Sequence, residues 1–247
     1  MNQEPFPIPA PTFNGASRQV EMGNLFNWLR QGWAIFVANP GNWLAMMLIF
    51  FVILVGVSVV PLIGTLAAHL LTPILGAGML VACRKVAADE PFEIADLFAG
   101  FQRKTNALLT LGVLYMVGML AITLLLLLFA GGGVASGLAM ANPLGLALAA
   151  SGFLVGVLLW MLLSIPLAMA IWFAPALVMF NDMPPVAALQ ASFQAWLKNL
   201  VTFLVCGLLL LILGFFAALP LGLGLLLLGP VLAGTVYASY RDLFPTA

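Results

Sequence analysis

Six long, uncharged, apolar stretches dominate this chain and restrict it to a helical membrane architecture. They run at about 43–60, from a turn at Pro61 and Gly64 to about 83, and at about 106–130, 146–180, 200–218 and 221–240. A helix needs roughly 20 apolar residues to cross about 30 Å of hydrocarbon, and within that layer each backbone polar group must find its partner inside the segment. At 64% hydrophobic and 6% charged residues, the 247-residue chain is far from the soluble norm of about a quarter charged. The expected fold is therefore an all-α polytopic membrane protein, its six transmembrane helices arranged as three hairpins.

All eight cationic residues (Arg18, Arg30, Arg84, Lys85, Arg103, Lys104, Lys198 and Arg241) then fall on one side of the membrane. By the positive-inside rule that side is cytoplasmic, and both termini lie there. Two of the three outer turns are too short to have held much charge. The third, 130–145, has room for charge and carries none. From 146 to 180 the chain stays uncharged for about 50 Å of helix, long for one upright crossing. A seventh span would carry Lys198 and Arg241 outside, so a single long tilted helix, kinked at Pro166 or Pro175, is expected.

The hairpins resemble one another. Pro73-Ile-Leu-Gly-Ala-Gly-Met-Leu-Val-Ala-Cys-Arg84 closes the first, and Pro230-Val-Leu-Ala-Gly-Thr-Val-Tyr-Ala-Ser-Tyr-Arg241 closes the last with the same spacing. The middle unit carries Pro175-Ala-Leu-Val but no terminal Arg. Stretches rich in aromatic residues precede each hairpin, at 25–37, 92–101 and 184–197. In the first, Leu25, Trp28, Leu29, Gly32 and Phe36 share one helical face, and in the third Val186, Leu189, Phe193, Trp196 and Leu197 do so. Such helices suit the headgroup layer. Asn42, Asn106 and Asn199 suit N-caps of the spans that follow. The expected organisation is a disordered Pro-rich cytoplasmic tail over 1–22 and one membrane domain over 23–243. Within it lie repeat units at about 23–85, 91–182 and 184–243, related by an axis along the membrane normal.

The segment from Trp33 to Trp43, Asp96-Leu-Phe-Ala-Gly-Phe101, Pro175-Ala-Leu-Val, and Ala188-Leu-Gln-Ala-Ser192 with Lys198-Asn199 carry a resemblance. Across most of 23–243 the chain resembles uncharacterised six-span bacterial inner-membrane proteins similar to the membrane domain of some glycerophosphodiester phosphodiesterases. The resemblance implies a bacterial inner-membrane location. It implies no phosphodiesterase activity, since the soluble catalytic domain has no counterpart here.

Reactive chemistry is sparse. Every Asp and Glu falls on the inner side or in the tail, whereas ion-coupled carriers keep a charge within the membrane. His69 is the titratable group inside a span, and a hydrogen bond to Thr65 or Thr72, one turn away on the same face, is its expected role. With no second His and no carboxylate in the spans, no metal or other cofactor is expected. Cys83 and Cys206 fall near inner span ends, on the reducing side, so no disulfide is expected. Gly152 and Gly156 form a small-xxx-small pattern open to either intramolecular packing or dimerisation. The loop 84–104 carries four positive and four negative charges, which argues against nucleic-acid or anionic-lipid binding and leaves room for a protein partner at the cytoplasmic face.

The chain is thus expected to be non-catalytic, an accessory or scaffold factor of the envelope in contact with the bilayer. The competing reading is a carrier for an apolar or lipid-like compound, with helix breaks at Pro73, Pro166, Pro175 and Pro230 lining its cavity. A cavity of several hundred Å³ between the hairpins would favour the second reading, and a solid core the first. Oligomeric state is not readable from the sequence.

Overall fold

The computed structural model describes residues 13–61, 63–140 and 142–245, and says nothing of the Phe129 side chain. Among these residues the chain is helical and forms no strand. Six helices are long and apolar enough to cross a membrane: α2 (Pro40–Ser58), α3 (Ile63–Ala87), α5 (Thr105–Ala139), α6 (Pro143–Asn181), α8 (Leu200–Ala218) and α9 (Leu223–Leu243). They pair as three hairpins, and the charged residues gather at one end of the bundle. Short helices sit at that end before each hairpin: α1 (Asn24–Ala38), a 3-10 turn (Ile94–Phe98) leading into α4 (Ala99–Arg103), and α7 (Pro185–Lys198).

Each short element packs on the second helix of the preceding hairpin, and α1 closes the circle onto α9. These junctions allow close approach because the side chains there are small. A Cβ on Gly32 would lie 2.5 Å from the Val231 carbonyl of α9, and one on Gly234 would lie 2.8 Å from the Gly32 Cα. At the second junction, of α3 with the 3-10 turn and α4, Cβ atoms on Gly78 and Gly100 would strike the carbonyls of Leu97 and Ile74. At the third junction, α7 docks Ala188, Ala191, Ser192 and Ala195 onto α6. The buried face of α7 is thus its small-residue face, and Val186 and Leu197 are exposed. The second helices α3, α6 and α9 touch one another at the centre.

Aromatic side chains fill the charged half of the bundle. Phe203 of α8 stacks on Trp196 at 4.3 Å and on Trp28 at 5.7 Å, and Phe173 lies 5.7 Å from the same ring. Ion pairs rim this end: Arg18 with Asp242, Lys85 with Asp96 at 2.7 Å, and Lys104 with Asp182.

Several expectations are corrected. The third span does not stop before Gly131, and the expected outer connection over 130–145 is mostly helix. The glycines there serve contact between helices. A Cβ on Gly133 would lie 2.8 Å from the Gly152 Cα, and Gly137 meets the Gly145 carbonyl and Ala149. Hydrogen bonding within the helix is also the cheapest way to satisfy a backbone that carries only apolar side chains. Gly152 and Gly156 therefore serve packing within the hairpin, Gly156 against Ala130 and Leu126. At 35 and 39 residues, α5 and α6 are about 50 to 60 Å long, so their tip extends well beyond the other helices.

Pro73, Pro166, Pro175 and Pro230 are not helix breaks, since α3, α6 and α9 continue through them. A proline removes one donor, and neighbouring groups in a packed bundle can absorb that loss. Just ahead of Pro175 a side chain of α7 enters the main-chain ladder of α6. The Ser192 hydroxyl donates to the Met169 carbonyl at 2.7 Å and accepts from the Phe173 amide at 3.0 Å, two groups that bond each other in a regular helix.

The N-caps also differ. Asn39, not Asn42, caps α2 by accepting from the Asn42 amide, and Asn106 lies inside α5. Asn199 stands at the head of α8, but its side chain accepts from the Val20 amide and donates to the Arg18 carbonyl. That contact bears on the tail. Residues 13–22, expected to be disordered, run along the charged end, with the Arg18 amide bonded to the Leu243 carbonyl and Phe13 against Phe244. The rest of the tail, 1–12, lies outside the described residues.

Candidate functional site

The prolines of the three second helices define the centre of the molecule. Pro73, Pro175 and Pro230 are buried inside α3, α6 and α9, and Pro166 is exposed. Beside the central prolines lies a cavity of 320 Å³. Met47 and Phe50 of α2 wall one side, Trp172 and Pro175 of α6 another, and Leu232 and Val236 of α9 a third. Gly76 of α3 leaves part of the space, since a Cβ there would meet nothing within 4 Å. Thr72 is exposed and Leu232, Ala233 and Val236 are only half-buried, so the cavity is partly open.

Polarity enters at one edge. Thr72 and Tyr115 line the cavity, and the Thr72 hydroxyl is spent on the Ala68 carbonyl at 2.7 Å. His69 lies one turn from Thr72 and stacks at 5.3 Å on Tyr115. Gly112 allows this contact, because α5 passes close to the Leu70 and His69 backbone there. His69 Nδ1 lies 2.6 Å from the Thr65 carbonyl. A carbonyl only accepts, so Nδ1 carries the proton in that contact.

The structure thus joins His69 to Thr65 through the backbone and places Thr72 on a separate bond. It brings in Tyr115, which the sequence reading did not single out. Its signal was the one phenol of the third span, among residues that are mostly apolar.

No Asp, Glu, Lys or Arg lines the cavity. Among the described residues, no three His, Cys, Asp or Glu side chains group as metal ligands. Cys83 and Cys206 are buried free thiols on different helices. With the Tyr115 phenol at its edge, backed by the His69 imidazole, the site can hold an apolar molecule and orient one polar group.

A probable inner membrane protein of Burkholderia thailandensis is 35% identical over 218 residues, spanning 85% of this chain and 79% of the relative. The present chain belongs to that protein's family. It is a multi-pass inner-membrane protein of six apolar helices. No protein-family profile matches the chain, and no solved structure matches it.

Proposed function

We propose that this protein is a non-catalytic inner-membrane protein that takes up an apolar or lipid-like compound between its hairpins. The observation that carries this reading is the 320 Å³ cavity among α3, α6 and α9, walled by apolar side chains and free of charge. Uncharged walls favour a ligand that gains by leaving water or lipid for a shaped apolar site. Tyr115 at the edge, in contact with His69, suits one polar group on that ligand.

Several finer features belong to the same proposal. Both termini face the cytoplasm, because the positive residues lie at one end. α1 and α7 lie in the headgroup layer, which fits Phe26, Trp33 and Val186 standing exposed beside polar faces. The three hairpins are repeats, which accounts for the matched prolines and the circular docking of the short elements. The likeness to membrane domains of glycerophosphodiester phosphodiesterases suits a lipid-facing role and brings no phosphodiesterase chemistry. A second reading, an accessory or scaffold factor that meets a protein partner at the cytoplasmic face, draws support from the close-packed aromatic core of the charged half.

Gly76→Leu tests the main reading, because the added side chain enters the cavity without meeting backbone. Purified protein in nanodiscs should bind an apolar fluorophore such as N-phenyl-1-naphthylamine, and Gly76→Leu should weaken that binding about tenfold with the fold intact. Unchanged binding in the folded variant would refute uptake at this cavity and favour the scaffold reading.

A further inference from the structure

The arginines that close the first and third hairpins are absent from the ion pairs at the charged end. Lys85 is taken by Asp96, Lys104 by Asp182 and Arg18 by Asp242, and no described carboxylate lies within 4 Å of Arg84 or Arg241. Asp242, the acid next in sequence to Arg241, is further committed to the Trp28 indole at 2.8 Å and the Asn24 amide at 2.9 Å. The balanced charge of the loop 84–104 therefore conceals a local excess, since Arg84 turns away from the loop's acids toward α6 and α9.

Both arginines line one groove of 450 Å³ between the ends of α3, α6 and α9, with Asn181 and Tyr240 between them. The Arg84 guanidinium sits 4.6 Å over the Phe180 ring, and that of Arg241 sits 5.9 Å over Tyr237. Stacking engages the face of a guanidinium and leaves its edge, with the N–H donors, for a planar or tetrahedral oxyanion. The Tyr240 hydroxyl donates to the side-chain Oδ1 of Asn181, which ties α9 to α6 in the wall of the groove. A neighbouring groove beyond Arg241 adds Arg30 of α1 and the Arg18–Asp242 ion pair.

We infer that Arg84 and Arg241 form a binding site for a phosphate group, on an anionic lipid headgroup or on a soluble phosphate ester, at the charged end of the bundle. Two guanidiniums on one groove, each seated over an aromatic ring, suit a phosphate that carries net negative charge and offers several acceptor oxygens. One helical turn separates Leu80, on the wall of the apolar cavity, from Arg84, so the two sites are distinct and neither proposal depends on the other.

The test uses the full chain in detergent. Native mass spectrometry with phosphatidylglycerol and phosphatidylcholine reports lipid preference, and the shift of the thermal midpoint with inorganic phosphate against chloride reports soluble phosphate. We expect about a tenfold preference for phosphatidylglycerol, reduced severalfold in Arg84→Gln and in Arg241→Gln and abolished in the double variant. Arg103→Gln, at the exposed end of α4, should change nothing. A phosphate shift lost in the same variants, without lipid preference, assigns the site to a soluble ester. Should the double variant not fold, the Arg84→Lys, Arg241→Lys pair keeps the charge, removes the fork and should lower the preference at least threefold. The proposal is overturned if the wild type discriminates by neither measure, if the folded double variant binds as the wild type does, if the lysine pair leaves the preference unchanged, or if Arg103→Gln is equally damaging.

Discussion

Ser192 is the residue whose role is hardest to replace. Its hydroxyl is buried and bridges the Met169 carbonyl and the Phe173 amide just ahead of Pro175, so its removal takes two hydrogen bonds from the contact of α7 with α6 and leaves those main-chain groups only each other. A hydrogen bond contributes about 0.5–1.5 kcal/mol net, and we expect Ser192→Ala, which loses two, to destabilise by about 1–2 kcal/mol, read as a lowered thermal midpoint in detergent. Ser192→Thr keeps the hydroxyl and should recover part of the loss. His69 is expected to behave differently. His69→Gln retains a donor for the Thr65 carbonyl and should leave stability and ligand uptake near wild type, whereas His69→Leu should cost about 1–2 kcal/mol. Loss of function in folded His69→Gln would assign the imidazole a proton or metal role instead.

Among the elements, the junction of α1 with α9 has the least room for change. Gly32 faces the Val231 carbonyl and Thr235, and the opposing Gly234 faces Gly32 itself, so any side chain at either position must push the helices apart. Overpacking typically costs about 1–3 kcal/mol, and we expect Gly32→Val to reach the upper part of that range and to expose the α1 segment to limited proteolysis. Gly131 provides the control, since a Cβ there meets nothing within 4 Å. Gly131→Ala should be neutral or slightly stabilising, because alanine is the better helix former. Two glycines alike in sequence thus differ by what stands opposite them.

That contrast explains how much of the molecule was legible in its sequence. Spans, pairing and the clustering of charge follow from hydrophobic length and charge position, which act locally along the chain. The extension of α5 through Gly131–Gly133 did not, because whether glycine ends a helix or lets two helices touch depends on the partner surface. Tyr115 beside His69, the Ser192 bridge and the binding of residues 13–22 by Asn199 and Leu243 are likewise long-range contacts that no local pattern encodes. For the whole molecule, the charge distribution yields its own prediction. Met140 stands exposed at the tip of the long hairpin, and Gln102 is exposed at the charged end. Cys83 and Cys206 are buried, so the wild-type background should stay unlabelled by a membrane-impermeant maleimide. In intact cells Met140→Cys should be labelled at once, and Gln102→Cys only after the membrane is opened. Labelling of Gln102→Cys in intact cells would invert the bundle, move the Arg84 and Arg241 groove to the outer surface, and replace the cytoplasmic leaflet with the outer leaflet as the source of any lipid phosphate bound there.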